Sequence, residues 1–435
     1  MRMTQTMSSV ERASARFVRR RYAGSRANLS CRRSPEALRH VGWGWLPHVA
    51  LNGLKPVLQK AAAIALALLC ISASPASAAK EPQPTAEEVE TAVRRATEFL
   101  VTMQDEESGY FSKSVKKRNK SSKNNKKKGK VVKFKKGGSH STAMTALAIM
   151  GLTSVGHLPT DPTPEGRALA SALDYVLSDE VFNEHGYFGK SDGSRMYGHG
   201  IITLMLAEMI GMGVDDEQDE KIRQRLEKAI ELILKSQRVG KDKKYKGGWR
   251  YTPEARDADI SVSVWQVMAL RAAKNGGLDV PKNAIDDAIG YIKRSYRGEG
   301  KSEDENAPFA YQVNSGRMAF STTAAGVLSL QVCGAYDAIE IKGGANFLLK
   351  SPPQHGDSWF FYGMYYYAQG MCQRGGEHAD TGRQFAERVL LKIQGKDGSW
   401  EARNGSERSA GKVYSTCLAL LSLSVQHQFL PIYQK

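Results

Sequence analysis

The sequence predicts an all-α protein, an α/α toroid of about six helical hairpins, and three observations carry that prediction. From Thr85 onward one pattern recurs: an amphipathic helix, a loop with Gly beside an aromatic residue, then a Ser/Thr/Ala/Gly-rich helix that is apolar nearly all round. The recurrence is regular, with second helices expected at Ser141–Thr153, Gly198–Gly211, Ser261–Lys274, Ser321–Gly334, Gly363–Arg374 and Tyr414–Gln426. Finally, the two helix types have different faces. In Glu217–Gln237 the apolar residues Ile222, Leu226, Ile230 and Ile233 fall on one side, whereas Met144–Met150 and Ile201–Met209 have almost no polar side.

A helix that is apolar all round must be buried on both sides, so the second helices form an inner ring and the amphipathic ones an outer ring. An open solenoid of such hairpins needs polar caps at both ends. No clear caps are present, which favours closure.

The 435 residues carry a formal net charge of +17, but that charge is localised. Residues 1–79 contribute +10 and Lys113–Lys136 contributes +13, which leaves the body of the chain at −6. A general nucleic-acid reading therefore fails, and no specific nucleic-acid partner is expected. The hydrophobic fraction of 41% excludes wholesale disorder.

The chain begins with an Arg-rich segment, residues 1–54, read as a leader whose translation start is misassigned or as a genuinely long leader. Residues 55–78 follow the order of a signal peptide: Lys55 and Lys60, the apolar run Ala61–Ala73, then small residues through Ala78. That run is too short to span a bilayer, so the chain is expected to be exported, to the periplasm or cell envelope, and not transmembrane. Residues 79–435 are expected to form a single toroid, interrupted by Lys113–Lys136. The insertion has too little apolar content to offset its ordering entropy, and its sharper reading is a tether to an anionic envelope surface. Cys333, Cys372 and Cys417 lack the spacing of a zinc site, and no metal or cofactor is expected.

Three segments carry a family resemblance: Phe99–Gln104 with Gly109-Tyr110, Leu234–Gln237 with Gly247-Gly248-Trp249, and Leu391–Gln394 with Asp397–Trp400. They resemble the glutamine–tryptophan repeats of the prenyltransferase and squalene/hopene-cyclase superfamily. Tyr197–Gly200, Gly247–Tyr251, Val264–Leu270 and Leu430–Gln434 are similar to exported members from planctomycete-type bacteria. The resemblance spans roughly residues 85–435 and independently implies a terpenoid-cyclase or protein-prenyltransferase-like toroid. It implies no single activity, because that toroid carries cyclases, transferases and binding domains.

Protein prenyl transfer needs an Asp/Cys/His zinc site, and no Asp-x-Cys occurs. A cyclase needs a protonated acid in an Asp-x-Asp-Asp box. The corresponding stretch, Asp257-Ala258-Asp259-Ile260-Ser261, lacks one acid in either register. Asp257 and Asp259 are the candidate catalytic acids, as a like-charge pair with one pKa raised. Their alternative role is to cap the helix that begins near Ser261. His199 is the candidate base. Tyr197, Trp249, Tyr251, Trp359, Tyr362, Tyr366, Trp400 and Tyr414 sit in or near loops entering inner helices, and are expected to line an aromatic mouth at which six helix N-termini point.

The leading expectation is an exported toroid binding an isoprenoid or other apolar, lipid-like ligand, with cyclase-type chemistry limited by the incomplete acid box. A non-catalytic scaffold of the cell envelope is the alternative. A carbohydrate-active toroid is a third, in which His199, Tyr251 and the two Asp serve as the acid/base set.

Overall fold

The helices that lack a polar face in the sequence are the ones the fold surrounds. The computed structural model describes residues 82–112, 139–183 and 185–434, and everything below concerns the compact unit that runs from Pro84 onward. The leader, the signal peptide and Lys113–Lys136 lie outside the described residues.

The outer helices are α1 (Ala86–Thr102), α3 (Pro164–Leu177), α6 (Asp216–Gln237), α8 (Lys282–Arg294), α10 (Ile339–Lys350) and α12 (Gly376–Ile393). The inner helices are α2 (Ser141–Ser154), α5 (Arg195–Glu208), α7 (Ile260–Asn275), α9 (Phe320–Val332), α11 (Phe360–Arg374) and α14 (Lys412–Leu423). Two short helices, α4 (Phe188–Ser191) and α13 (Gly405–Ala410), sit in the loops ahead of α5 and α14. Among the described residues there are no strands, only isolated bridges.

Each inner helix packs on the next, and α14 returns to α2, so the ring closes as the sequence predicts. Every residue of α2 is buried, which is why that stretch tolerates no polar face. The outer helices start on recognisable signals. Thr85 and Glu88 form a reciprocal capping box at α1, Thr163 caps α3 ahead of Pro164, and Asp215 caps α6. The α2 helix starts at Ser141 as the apolar pattern places it, and the other inner helices start one to three residues early; α5 begins at Arg195 rather than Gly198.

The repeated glutamines are stitches between neighbouring hairpins. Gln104 Nε2 donates to Gly109 O and to Ala168 O on α3, both at 2.8 Å. Gln237 Nε2 donates to Gly247 O at 3.0 Å and to Ala284 O on α8 at 2.9 Å. Gln394 Nε2 donates to Gly398 O at 2.9 Å and to Ala92 O on α1 at 2.8 Å, joining the last hairpin to the first. The loop glycines serve the same junctions: a Cβ on Gly247 would lie 2.0 Å from Asp287 O, and one on Gly398 would lie 2.2 Å from Arg95 O.

The loop aromatics complete the stitch. Backbone N–H groups of Phe111, Trp249, Phe309 and Trp400 donate to Thr145, Ser263, Thr323 and Thr416, hydroxyls on the first turns of α2, α7, α9 and α14. The Trp249 and Trp400 indoles donate to Ile233 O and Leu390 O. The Ser/Thr content of the inner helices therefore satisfies buried loop N–H groups, which would otherwise be costly.

The far end of the ring is closed by the C-terminal segment. Ile432 N–H donates to the buried Glu208 at the end of α5, Gln373 on α11 donates to Tyr433 O, and the Tyr433 hydroxyl bonds that of Tyr365. The middle of the ring is filled by aromatic rings. Trp265 stacks on Tyr365 with centroids 5.8 Å apart, and Tyr366 packs edge-on to Trp265 and Tyr362. The ring is thus a cup rather than a channel.

Candidate functional site at the mouth of the ring

Because all six loops entering inner helices lie at one end, the six N-termini face a common cavity of about 880 Å³. Every inner helix contributes its first turn or the residue before it. These are His140 and Ser141 at α2, Arg195 and Tyr197 at α5, Ser261 at α7, Ser321 and Thr322 at α9, Trp359 and Tyr362 at α11, and Tyr414 at α14. Loops add Tyr251, Tyr311 and Arg317, and Ser406 and Ser409 come from α13. Ala143, Met144, Leu147 and Ile201 form the apolar floor.

Among the described residues, the lining contains hydroxyls, aromatic rings, two arginines and a histidine, and no Asp or Glu. Buried carboxylates already take N-terminal donors of three inner helices, Asp192 at α2, Asp259 at α7 and Glu407 at α11, so the positive charge in the lining comes from the two arginines. Among the described residues, the guanidiniums of Arg195 and Arg317 enter no ion pair with a carboxylate; Arg317 lies over the Tyr311 ring, 4.8 Å from its centroid. The backbone around the cavity is strained as well. His140, Arg195 and Trp359 have φ of 63°, 58° and 61°, a left-handed conformation that costs a non-glycine residue of order 1 kcal/mol or more.

Of the residues expected from the sequence, Tyr197, Tyr251, Trp359, Tyr362 and Tyr414 line the cavity. Trp249, Trp400 and Tyr366 do not: the two tryptophans are buried behind the mouth at the stitches, and Tyr366 sits in the aromatic filling below. Burial raises the Tyr197, Tyr362 and Tyr414 hydroxyls above the usual phenol range, so these stay neutral donors.

The expected catalytic trio does not line the cavity either. Asp259 is fully buried and caps α7 through Val262 N–H at 2.9 Å, with Arg250 paired to it at 2.8 Å. The Arg250 guanidinium also reaches Asp257 at 3.4 Å, so the two carboxylates share a cation rather than a proton. Burial pushes the Asp259 carboxyl up to about 6 in spite of these partners. His199 lies inside α5 between the rings of Tyr187 and Phe188, with Nε2 3.2 Å from Ala229 O, and burial pushes its pKa down to about 4.

Sequence reasoning missed His140, Ser194, Arg195, Tyr311 and Arg317. Each sits in a loop entering an inner helix or at that helix's start, so position relative to the repeat was the available signal. The search for aromatics and acids passed over them. Another missed group, Glu407 on α13, is buried; it accepts Tyr362 N–H at 2.9 Å and Phe361 N–H at 3.3 Å, capping α11, and burial pushes it up to about 7.

No family model matches the sequence, and no curated protein matches it. Among solved structures, the GH76A α-1,6-mannanase from Salegentibacter sp. HEL1_6 is similar, with a TM-score of 0.51 at 7% identity over 78% of this chain and 99% of that one. Two inactive variants of that enzyme, each with two aspartates replaced, are similar at a TM-score of 0.51 over the same shares of each chain. One is bound to α-1,6-mannotriose at 8% identity and the other to α-1,6-mannotetrose at 9%. The likeness defines the fold: this chain is an α/α toroid. Its class of activity has to come from the mouth.

Proposed function

We propose that this toroid is a carbohydrate-binding protein that holds a saccharide chain across its mouth without hydrolysing it. The observation that carries this reading is the lining: hydroxyls and aromatic faces suited to sugar rings, with no carboxylate among them. Two-carboxylate glycoside hydrolysis needs an acid and a nucleophile or base at the bond, and this mouth supplies neither. The mannanase variants that lack two aspartates are inactive yet bind oligosaccharide, which is the behaviour proposed here for the native chain. Asp257, Asp259 and His199 have structural work in this reading, and cyclase-type proton transfer has no part in it.

The prenyltransferase- and cyclase-like reading rests on the glutamine–aromatic repeats, whose residues are spent on joining hairpins. The apolar floor favours a second reading in which an apolar, lipid-like group occupies the cup. It is the weaker one, because aromatic side chains fill the ring below the floor. Export to the envelope fits either ligand, and Lys113–Lys136 would add attraction to an anionic surface.

Affinity electrophoresis through gels containing polysaccharides tests the proposal. Retarded migration that Tyr251→Ala abolishes, with no products released from the polysaccharide, is the expected result. Unretarded migration in every polysaccharide, or a stoichiometric lipid in organic extracts of the native protein, would overturn it.

A further inference from the structure

The proposed carbohydrate reading leaves open which saccharides the mouth takes, and one corner of the cavity answers in chemical terms. Asp192 organises that corner. Its carboxylate accepts Ala143 N–H at 3.0 Å in the first turn of α2 and Ser194 N–H at 2.9 Å just before α5. Its main-chain oxygen accepts His140 N–H at 2.8 Å. Asp192 thereby ties His140 through its main chain, and the residue before Arg195 through its carboxylate, at the starts of two adjacent inner helices. Among the described residues, the Asp192 carboxylate forms no ion pair with the Arg195 or His140 side chain.

Three polar side chains meet at this corner. Arg195 presents a guanidinium with no carboxylate partner among the described residues. His140 presents its ring with Nδ1 held by Ser139 Oγ at 2.7 Å, which leaves Nε2 for another contact. Ser194, only 8% exposed and part of the cavity lining, carries a buried hydroxyl with no hydrogen-bond partner. A buried hydroxyl without a partner is costly, and the backbone strain adds to that cost; a bound acceptor would satisfy the hydroxyl.

We infer that the His140–Ser194–Arg195 corner is an oxyanion subsite, and that the saccharide it selects is acidic, with a carboxylate or a sulfate or phosphate ester seated there. The inference rests on the carbohydrate reading of the mouth. The guanidinium supplies a charge-assisted, potentially bidentate contact.

Titration calorimetry on the full chain tests it with four probes: an oligogalacturonate, a sulfated oligosaccharide, a neutral hexasaccharide of equal length, and inorganic phosphate. An acidic oligosaccharide is expected to bind about tenfold or more tightly than the neutral one, with affinity falling as salt rises. Arg195→Asn removes the charge while keeping a residue that tolerates positive φ, so it folds, and it is expected to bring the ratio close to one. His140→Asn applies the same test to the other strained residue and lowers the ratio in the same direction.

Equal affinity for all three saccharides in the wild type overturns the acidic subsite and leaves the carbohydrate reading standing. Phosphate binding that Arg195→Asn abolishes, with no saccharide bound, keeps the anion subsite and overturns the carbohydrate reading. A sulfated oligosaccharide preferred over the uronate identifies an ester rather than a carboxylate as the group seated there, again in support of the subsite.

Discussion

At the scale of single residues, the mouth carries backbone strain that the proposed ligand site would explain. Three of its lining residues adopt positive φ without being glycine. His140 and Arg195 are exposed, so replacing either with glycine removes strain and little packing. Each variant is expected to gain about 1 kcal/mol of stability while acidic-ligand binding weakens; thermal denaturation alongside calorimetry checks both. Glu407 gives a second expectation, with a definite sign. Burial raises this carboxyl from the ordinary glutamate value of about 4.5 to about 7, so the unfolded chain releases the proton at lower pH than the folded one. Its contribution is full below pH 4.5 and is lost as pH rises through about 7. The wild type should therefore lose on the order of 3 kcal/mol relative to Glu407→Gln between pH 4.5 and 7.5. Parallel melting-temperature profiles for the two proteins would contradict this.

At the scale of elements, the glutamines at the ends of α1, α6 and α12 hold the repeat together. Gln394→Leu removes the two carbonyl contacts that join the last hairpin to the first, and is expected to cost about 2 kcal/mol in chemical denaturation. Gln237→Leu should cost a similar amount at an internal junction. This is also where the sequence was most legible. Helical periodicity and the contrast between one-faced and all-apolar helices report burial directly, so the hairpins and their order could be read. The same motifs were poor guides to chemistry. Trp249 and Trp400 looked like mouth residues because they sit in loops entering inner helices, yet that position buries an indole against the preceding helix. Asp259 looked like half of an acid box, and its carboxylate caps α7. Tyr251, Trp359 and Tyr414 were found because loops entering inner helices converge. His140 and Arg195 were not, since nothing in their spacing reveals a backbone at positive φ.

At the scale of the whole molecule, closure makes the toroid a cup with one open end. The tail contacts α5, α7 and α11 at the other end, and Ile432 N–H satisfies buried Glu208. Removing residues 431–435 withdraws that donor together with the buried Tyr433, and is expected to destabilise the fold by about 3 kcal/mol without changing acidic-to-neutral selectivity at the distant mouth. A truncation that altered selectivity would mean the two ends are coupled. Charge is divided on the same scale: a mildly acidic body, a mouth with no carboxylate among its described lining residues, and a lysine-rich segment whose flanking residues Ser112 and Ser139 both line the cavity. Among the described residues no helix is long and apolar enough to cross a membrane.

The most direct test is a crystal structure of the protein with bound oligogalacturonate. The account requires sugar rings in the mouth against Tyr251 and Trp359, with a carboxylate within hydrogen-bond distance of Arg195 and the Ser194 hydroxyl. An empty mouth, with the oligosaccharide seated elsewhere on the toroid, would contradict it.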